Sequence, residues 1–194
     1  MSLLEQLRSL LHVSGSHGIA RRYFVVNGFD GALTMLGLNT GFYLSGDVDP
    51  RIVIGACLGA AIALGMSGVA SAYLSESAER RRWLADLEQA MVRDLSDSAH
   101  GTAARVVPLL IALVNGLAPL LISAVIMTPL WLARAGVALP LAPVPAAIAT
   151  AFICIFGLGI FLGRIGATSP LWSGIKTLLV ALVTMALILL VGGG

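Results

Sequence analysis

The chain has 194 residues, of which 58% are hydrophobic and 11% are charged, and its mean hydropathy is +0.94. A soluble protein needs a larger polar share to cover its surface, so this composition predicts an integral membrane protein. The formal net charge is +2, and no basic run is interleaved with aromatic residues, so nucleic acid is not an expected partner. The two cysteines, Cys57 and Cys154, lie in apolar segments with neither a metal-type spacing nor a disulfide pattern.

Residues 1–20 carry leucines at helical spacing, with charged residues between them. We expect this segment to form an amphipathic helix on the cytoplasmic surface of the membrane. Residues 21–194 then form one five-helix transmembrane domain. The expected fold class is therefore an all-α integral membrane protein.

Five apolar segments approach the length of about 20 residues that a helix needs to cross a bilayer. They run over about 23–44, 52–74, 106–132, 146–162 and 171–191. Beyond the second span the helical pattern continues as a charged helix within the link 75–105. Of the twelve Lys and Arg residues, all except Arg51 and Arg134 fall on one side of this arrangement. The positive-inside rule therefore predicts a cytoplasmic N-terminus and a second helix extended into the cytoplasm.

The first span carries a single carboxylate, Asp30, about two turns from its start. A charge at that depth costs about 2.5–3.5 kcal/mol on insertion scales, so it usually faces a partner group or a wet path. On a helical wheel Asp30 shares its face with Thr34, Gly37 and Gly41. The two glycines have the GxxxG spacing of closely packed membrane helices. Asp30 is either a structural aspartate bonded to a neighbouring helix or a site where a divalent cation and a proton compete.

The second span repeats the GxxxG spacing at Gly55 and Gly59 and then carries Met66. We expect the glycines to pack against other helices. A thioether sulfur prefers transition metals to Mg²⁺ or Ca²⁺, which makes Met66 a candidate soft ligand. Methionine also fills gaps in apolar cores, and that reading of Met66 stays open.

Tyr73, Glu76 and Glu79 lie at the end of the second span. Taken singly, each glutamate fits a solvated, salt-bridged helix face. Grouped at the mouth of a pore, they would concentrate cations. The chain shows no nucleophile with a base at a recognisable spacing, no HExxH and no phosphate loop, so we do not expect an enzyme.

These residues resemble the vacuolar iron transporter family and its nodulin-like and prokaryotic relatives. The resemblance covers five spans in the same order, from Arg21 onwards. It rests on three short motifs: Asp30-Gly31-Ala32-Leu33-Thr34 in the first span, Gly65-Met66-Ser67-Gly68 before Tyr73-Leu74-Ser75 and Glu76 in the second, and Ser173-Gly174-Ile175-Lys176 in the fifth.

The resemblance implies a homodimer in the lipid bilayer that exchanges Fe²⁺, Mn²⁺ or a similar divalent metal for protons. Its pore would run along the dimer axis, with Asp30 and Met66 as the metal and proton ligands. Asn27, Thr34 and Tyr73 would support the pore. The metal is the transported substrate, and no permanently bound cofactor is expected.

The chain departs from the family pattern in three places. The link 75–105 is too short for the family's three-helix metal-binding domain, and Phe29 stands where the family usually has Asn before the aspartate. Aligned on Tyr73, the family's methionine position falls on Gly68 instead of Met66.

The expected function is export of divalent metal across the cell membrane of a prokaryote. The alternative is a non-transporting five-helix membrane scaffold or sensor.

Overall fold

The structure, a computed structural model, describes residues 17–46, 48–166 and 168–192. Most of the amphipathic segment expected at 1–20 therefore lies outside the described residues. The described chain contains five helices, which we number α1 (His17–Leu44), α2 (Pro50–Met91), α3 (Ala99–Arg134), α4 (Pro143–Ile165) and α5 (Pro170–Gly192). The all-α class is confirmed for this part of the chain.

Four of the described helices, α2 to α5, are long and apolar enough to cross a bilayer, which indicates a membrane protein. The helix α1, which contains Arg21, Arg22 and Asp30, is not among these four. The fifth crossing and the orientation of the chain therefore stay predictions. Proline begins α2, α4 and α5, where its fixed φ suits the first helical turn and its missing N–H costs nothing.

The helix α2 has 42 residues, so it is about 60 Å long, roughly twice the hydrocarbon thickness of a bilayer. It continues beyond the apolar segment, as the sequence predicts, and it ends at Met91. The turn that follows is held by side-chain acceptors: Leu95 N–H donates to Glu88 Oε1 at 3.0 Å, and Ser96 N–H donates to Asp94 Oδ1 at 2.8 Å. The hydrogen bonds from the Ser96 hydroxyl and N–H hold the pKa of the Asp94 carboxyl below its usual value. Residues 75–105 therefore contain the extension of α2, a turn and the first residues of α3, which begins at Ala99.

The helices form two compact units. The first unit contains the described part of Met1–Phe24 together with Gly65–Leu117. The second contains Val25–Leu64 and Ala118–Gly194, as far as these are described.

In the first unit, α2 and α3 pack at backbone distance through small residues. A Cβ built on Gly116 would lie 2.6 Å from the carbonyl oxygen of Gly65 and would also collide with the side chain of Val69. Asn115 Nδ2 donates a hydrogen bond of 2.7 Å to the carbonyl oxygen of Gly68. Gly65 and Gly68 therefore pack against α3, as small residues at closely packed membrane helices do.

In the second unit, α4 and α5 form an antiparallel hairpin. Gly159 faces Gly174, and Gly163 faces Pro170, with no room for a Cβ at either α4 glycine. The Thr177 hydroxyl donates to the carbonyl oxygen of Ile155 at 3.1 Å. The motif that includes Ser173-Gly174 thus lies in this helix pair.

The remainder of α1 packs within the second unit through two further glycines. A Cβ on Gly31 would lie 2.8 Å from Pro119 Cα of α3, and one on Gly28 would touch Leu158 of α4 at 3.3 Å. These contacts hold the buried side of α1, and they leave the opposite side for the site described below.

We predict that Gly116→Ala lowers the free energy of unfolding by about 1–3 kcal/mol, because the added methyl overpacks the contact between α2 and α3. Thermal unfolding of the detergent-solubilised protein, followed by circular dichroism, measures the change. The matched control is Gly157→Ala, where a Cβ meets nothing within 4 Å. Equal melting temperatures for the two variants would contradict the packing described here.

Candidate functional site

Asp30 lies on the exposed side of α1. The opposite side of the helix is fully covered, with Ala32, Met35 and Leu36 at 0% exposure. Thr34 is half-buried beside the acid. A carboxylate in this position is available to a group from outside the single chain.

The rest of the predicted stripe on α1 is only partly covered. Gly37 and Gly41 are half-buried, and a Cβ on Gly41 would meet nothing within 4 Å. A Cβ on Gly37 would reach only the tip of Ile188 at 3.6 Å. Asn27, the other predicted supporting residue of this helix, is half-buried and takes part in an interaction of its own.

A second uncovered stripe runs along α2. Gly55 and Gly59 are exposed with open space at each Cβ position, and Met66 is 64% exposed. Ile52 and Ile62 extend the same stripe at helical spacing with more than half of their surface exposed. The GxxxG pair of α2 is therefore available for contact with another helix.

The described residues contain no group of three or more His, Cys, Asp and Glu side chains that would hold a metal ion. Asp30 belongs to the second unit and Met66 to the first, and each is exposed within its own unit.

Glu76 is the carboxylate of α2 that the structure buries, at 5% exposure. Tyr23 of α1 donates a hydrogen bond to it from its hydroxyl. The Tyr23 ring also packs on Val107 and its buried neighbours in α3. Together with exposed Glu79, Glu76 lines a small pocket of about 120 Å³ whose other walls are Ile19, Arg80 and Trp83.

Tyr73 lines a different pocket, of about 260 Å³, on the neighbouring side of α2. Its walls are Tyr73, Ser77, Arg81, Leu84, Gly101, Ala104 and Arg105. The predicted pore-mouth residues therefore divide between two pockets. Glu76 and Glu79 share the first, and Tyr73 belongs to the second.

Sequence reasoning missed several polar residues that the helices bury. Asn39 and Thr40 of α1 are fully buried, and Asn39 Nδ2 donates to the Met35 carbonyl oxygen at 2.8 Å and to Cys57 Sγ at 3.8 Å. Among the described residues, Asn39 Oδ1 and the hydroxyls of Thr40 and Ser123 have no hydrogen-bond partner. The sequence signal for this buried polar site is the pair Asn39-Thr40, an amide next to a hydroxyl within an apolar segment.

An apolar pocket of about 480 Å³ lies elsewhere in the second unit. It is formed by the turn between α1 and α2 and by the start of α4, with Phe42, Tyr43, Pro50, Leu130 and Pro143 among its walls. None of the predicted site residues lines it.

Comparison with known proteins shows one clear relationship. The chain is 30% identical over 174 residues to the uncharacterized protein MJ0645 of Methanocaldococcus jannaschii, and the match covers 88% of this chain and 86% of the archaeal protein. The chain belongs to the family of this archaeal protein. No family model matches the chain. No solved structure matches it.

The hydrogen bond between Tyr23 and the buried Glu76 predicts a stability effect. Tyr23→Phe removes a hydrogen-bond donor from a buried carboxylate, so we expect a loss of about 1–3 kcal/mol in the free energy of unfolding. Chemical or thermal unfolding in detergent tests this value. Tyr43→Phe is the control because Tyr43 is 57% exposed, and a loss as large in this variant would show that the Tyr23 hydroxyl has no special role.

Proposed function

We propose that the protein is a homodimeric transporter that exports a divalent transition metal such as Fe²⁺ or Mn²⁺ from the cytoplasm in exchange for protons. The observation that carries the proposal is the exposed Asp30 carboxylate on an uncovered side of α1. Facing lipid, this charge would cost about 2.5–3.5 kcal/mol, so a partner surface or a wet path is favoured there.

A second copy of the chain is the partner that fits this surface. The uncovered stripes of α1 and α2 both carry GxxxG pairs with open space at most of their Cβ positions. Two-fold packing of these stripes would bring two copies of each exposed ligand to one axis. The pore then contains two carboxylates from Asp30 and two thioethers from Met66.

This pair of ligand types suits the proposed cargo. Carboxylate oxygen binds most divalent cations, while thioether sulfur favours transition metals over Mg²⁺ and Ca²⁺. A metal ion binds the ionised Asp30 carboxylate, and protonation of the carboxylate releases the metal ion. Asp30 therefore supports the exchange of metal for protons. No enzymatic step is part of this proposal.

The proposed topology has five crossings, including α1, with the N-terminus and the extension of α2 in the cytoplasm. The arginines of the α2 extension support this orientation through the positive-inside rule. Exposed Glu79 then attracts cations at the pore mouth, beside the hydrogen-bonded Glu76. The archaeal relative supports a prokaryotic cell membrane as the location.

We predict that Asp30→Asn reduces metal-driven proton flux to the level of protein-free liposomes. The amide keeps the shape of the side chain but loses the ionised form that binds metal and accepts a proton. Fe²⁺ or Mn²⁺ is added outside proteoliposomes under reducing conditions, and an internal pH-sensitive dye records the flux.

Asp49→Asn is the matched control. Asp49 is exposed in the turn before α2 and accepts a hydrogen bond from Arg51 N–H, which an Asn side-chain oxygen also accepts. Wild-type flux from a folded Asp30→Asn dimer would refute the proposed role. Absence of metal-driven flux in the wild-type protein would favour the scaffold or sensor alternative.

The proposed dimer predicts a cross-linking pattern. In a Cys154→Ala background, Ile62→Cys on the uncovered stripe of α2 should form an intermolecular disulfide under mild oxidation, because a two-fold axis brings this position near its own copy. Ile153 on α4 is more exposed than Ile62, at 70% against 57%, and Ile153→Cys should nevertheless stay monomeric on non-reducing gels. Cross-linking only at position 153 would place the interface elsewhere.

A further inference from the structure

The pocket that contains Tyr73, which we call the arginine pocket, joins two helices of the first unit. The end of α2 contributes Tyr73, Ser77, Arg81 and Leu84, and the start of α3 contributes Gly101, Ala104 and Arg105. Its volume is about 260 Å³. Neither predicted metal ligand, Asp30 or Met66, lines this pocket; Tyr73 was predicted only to support the pore.

The walls of the arginine pocket suit a phosphate group. Two arginines, Arg81 and Arg105, line it from different helices, and no Asp or Glu is among its lining residues. A guanidinium fork matches the oxygen spacing of phosphate and forms charge-assisted hydrogen bonds. Tyr73 and Ser77, whose side chains carry hydroxyl donors, also line the pocket.

One further feature favours an anion in the same place. Arg105 is anchored, because one guanidinium nitrogen donates to the Ser96 carbonyl oxygen at 3.1 Å. The acidic side chains Glu76 and Glu79 line the other pocket.

With α2 and α3 crossing the bilayer, as their length and hydropathy indicate, the arginine pocket would lie at the depth of lipid headgroups. The apolar part of α2 ends near Leu74, and the apolar part of α3 begins near Val106. Arg81 therefore lies about two turns beyond the first boundary, and Arg105 lies directly at the second. Tyr73, at the boundary itself, is a residue type that is enriched at the membrane surface.

We propose that the arginine pocket binds a phosphate group, carried either by the headgroup of an anionic phospholipid or by inorganic phosphate. The proposal is independent of transport, since neither Asp30 nor Met66 lines the pocket and the test measures ligand binding.

The first test compares lipid retention by delipidated protein in detergent, measured by native mass spectrometry. Phosphatidylglycerol is added to the wild type and to Arg81→Gln and Arg82→Gln, with phosphatidylcholine as the neutral-headgroup comparison. Arg82 is the matched control because it is also exposed on α2 but lies outside the pocket. We expect Arg81→Gln to reduce phosphatidylglycerol binding at least about tenfold, the size expected for losing a charge-assisted pair, and Arg82→Gln to bind as wild type.

A second arm identifies the source of the phosphate. Inorganic phosphate is titrated into the same preparations, and the melting temperature is followed. A phosphate-dependent rise that Arg81→Gln removes, without preference for phosphatidylglycerol, assigns the pocket to the free ion, whereas preference for phosphatidylglycerol alone assigns it to the lipid. Arg105→Lys keeps the charge but loses the fork, and we expect it to weaken either ligand.

The proposal is overturned if the wild type neither prefers phosphatidylglycerol to phosphatidylcholine nor responds to phosphate. It is also overturned if Arg82→Gln loses as much binding as Arg81→Gln, because that result reports surface charge alone. Either result leaves the Asp30 flux prediction unaffected.

Discussion

The close contact between α2 and α3 determines which side chains of α2 point outward. Asn115 donates to the Gly68 carbonyl oxygen, and Gly116 leaves no space above Gly65. Once these two α2 glycines face α3, helical geometry turns the two residues between them, Met66 and Ser67, away from α3. Met66 is 64% exposed for this reason. The same geometry makes Gly68 unsuitable as a ligand position, since a longer side chain there would press on the backbone of Asn115.

Much of the fold follows from hydropathy and helical periodicity. The continuation of α2 beyond its apolar segment was predictable, because it depends on residues close together in one helix. The start of α3 at Ala99 was not expected, since polar residues precede its apolar segment and a hydropathy pattern does not record helix caps.

The distribution of the pore-mouth residues was less predictable. Glu76 and Tyr73 lie only three positions apart, yet they line different pockets. The outcome depends on partners distant in sequence: Tyr23 for Glu76, and Arg105 for the pocket of Tyr73. A helical wheel orders the residues of one helix but does not say which neighbour covers each side. The pairing of Asn115 with Gly68, at a separation of 47 residues, was hidden for the same reason.

The hairpin of α4 and α5 has a consequence for how the protein is made. Its helices meet through Gly159, Gly163 and Gly174, with the Thr177 hydroxyl bonded to an α4 carbonyl. Because α4 precedes α5 in the chain, the glycine face of α4 lacks its packing partner until α5 has been synthesised. The short turn after Ile165 keeps this interval brief, because α5 begins at Pro170. The hairpin completes its glycine contact only once both helices have been synthesised.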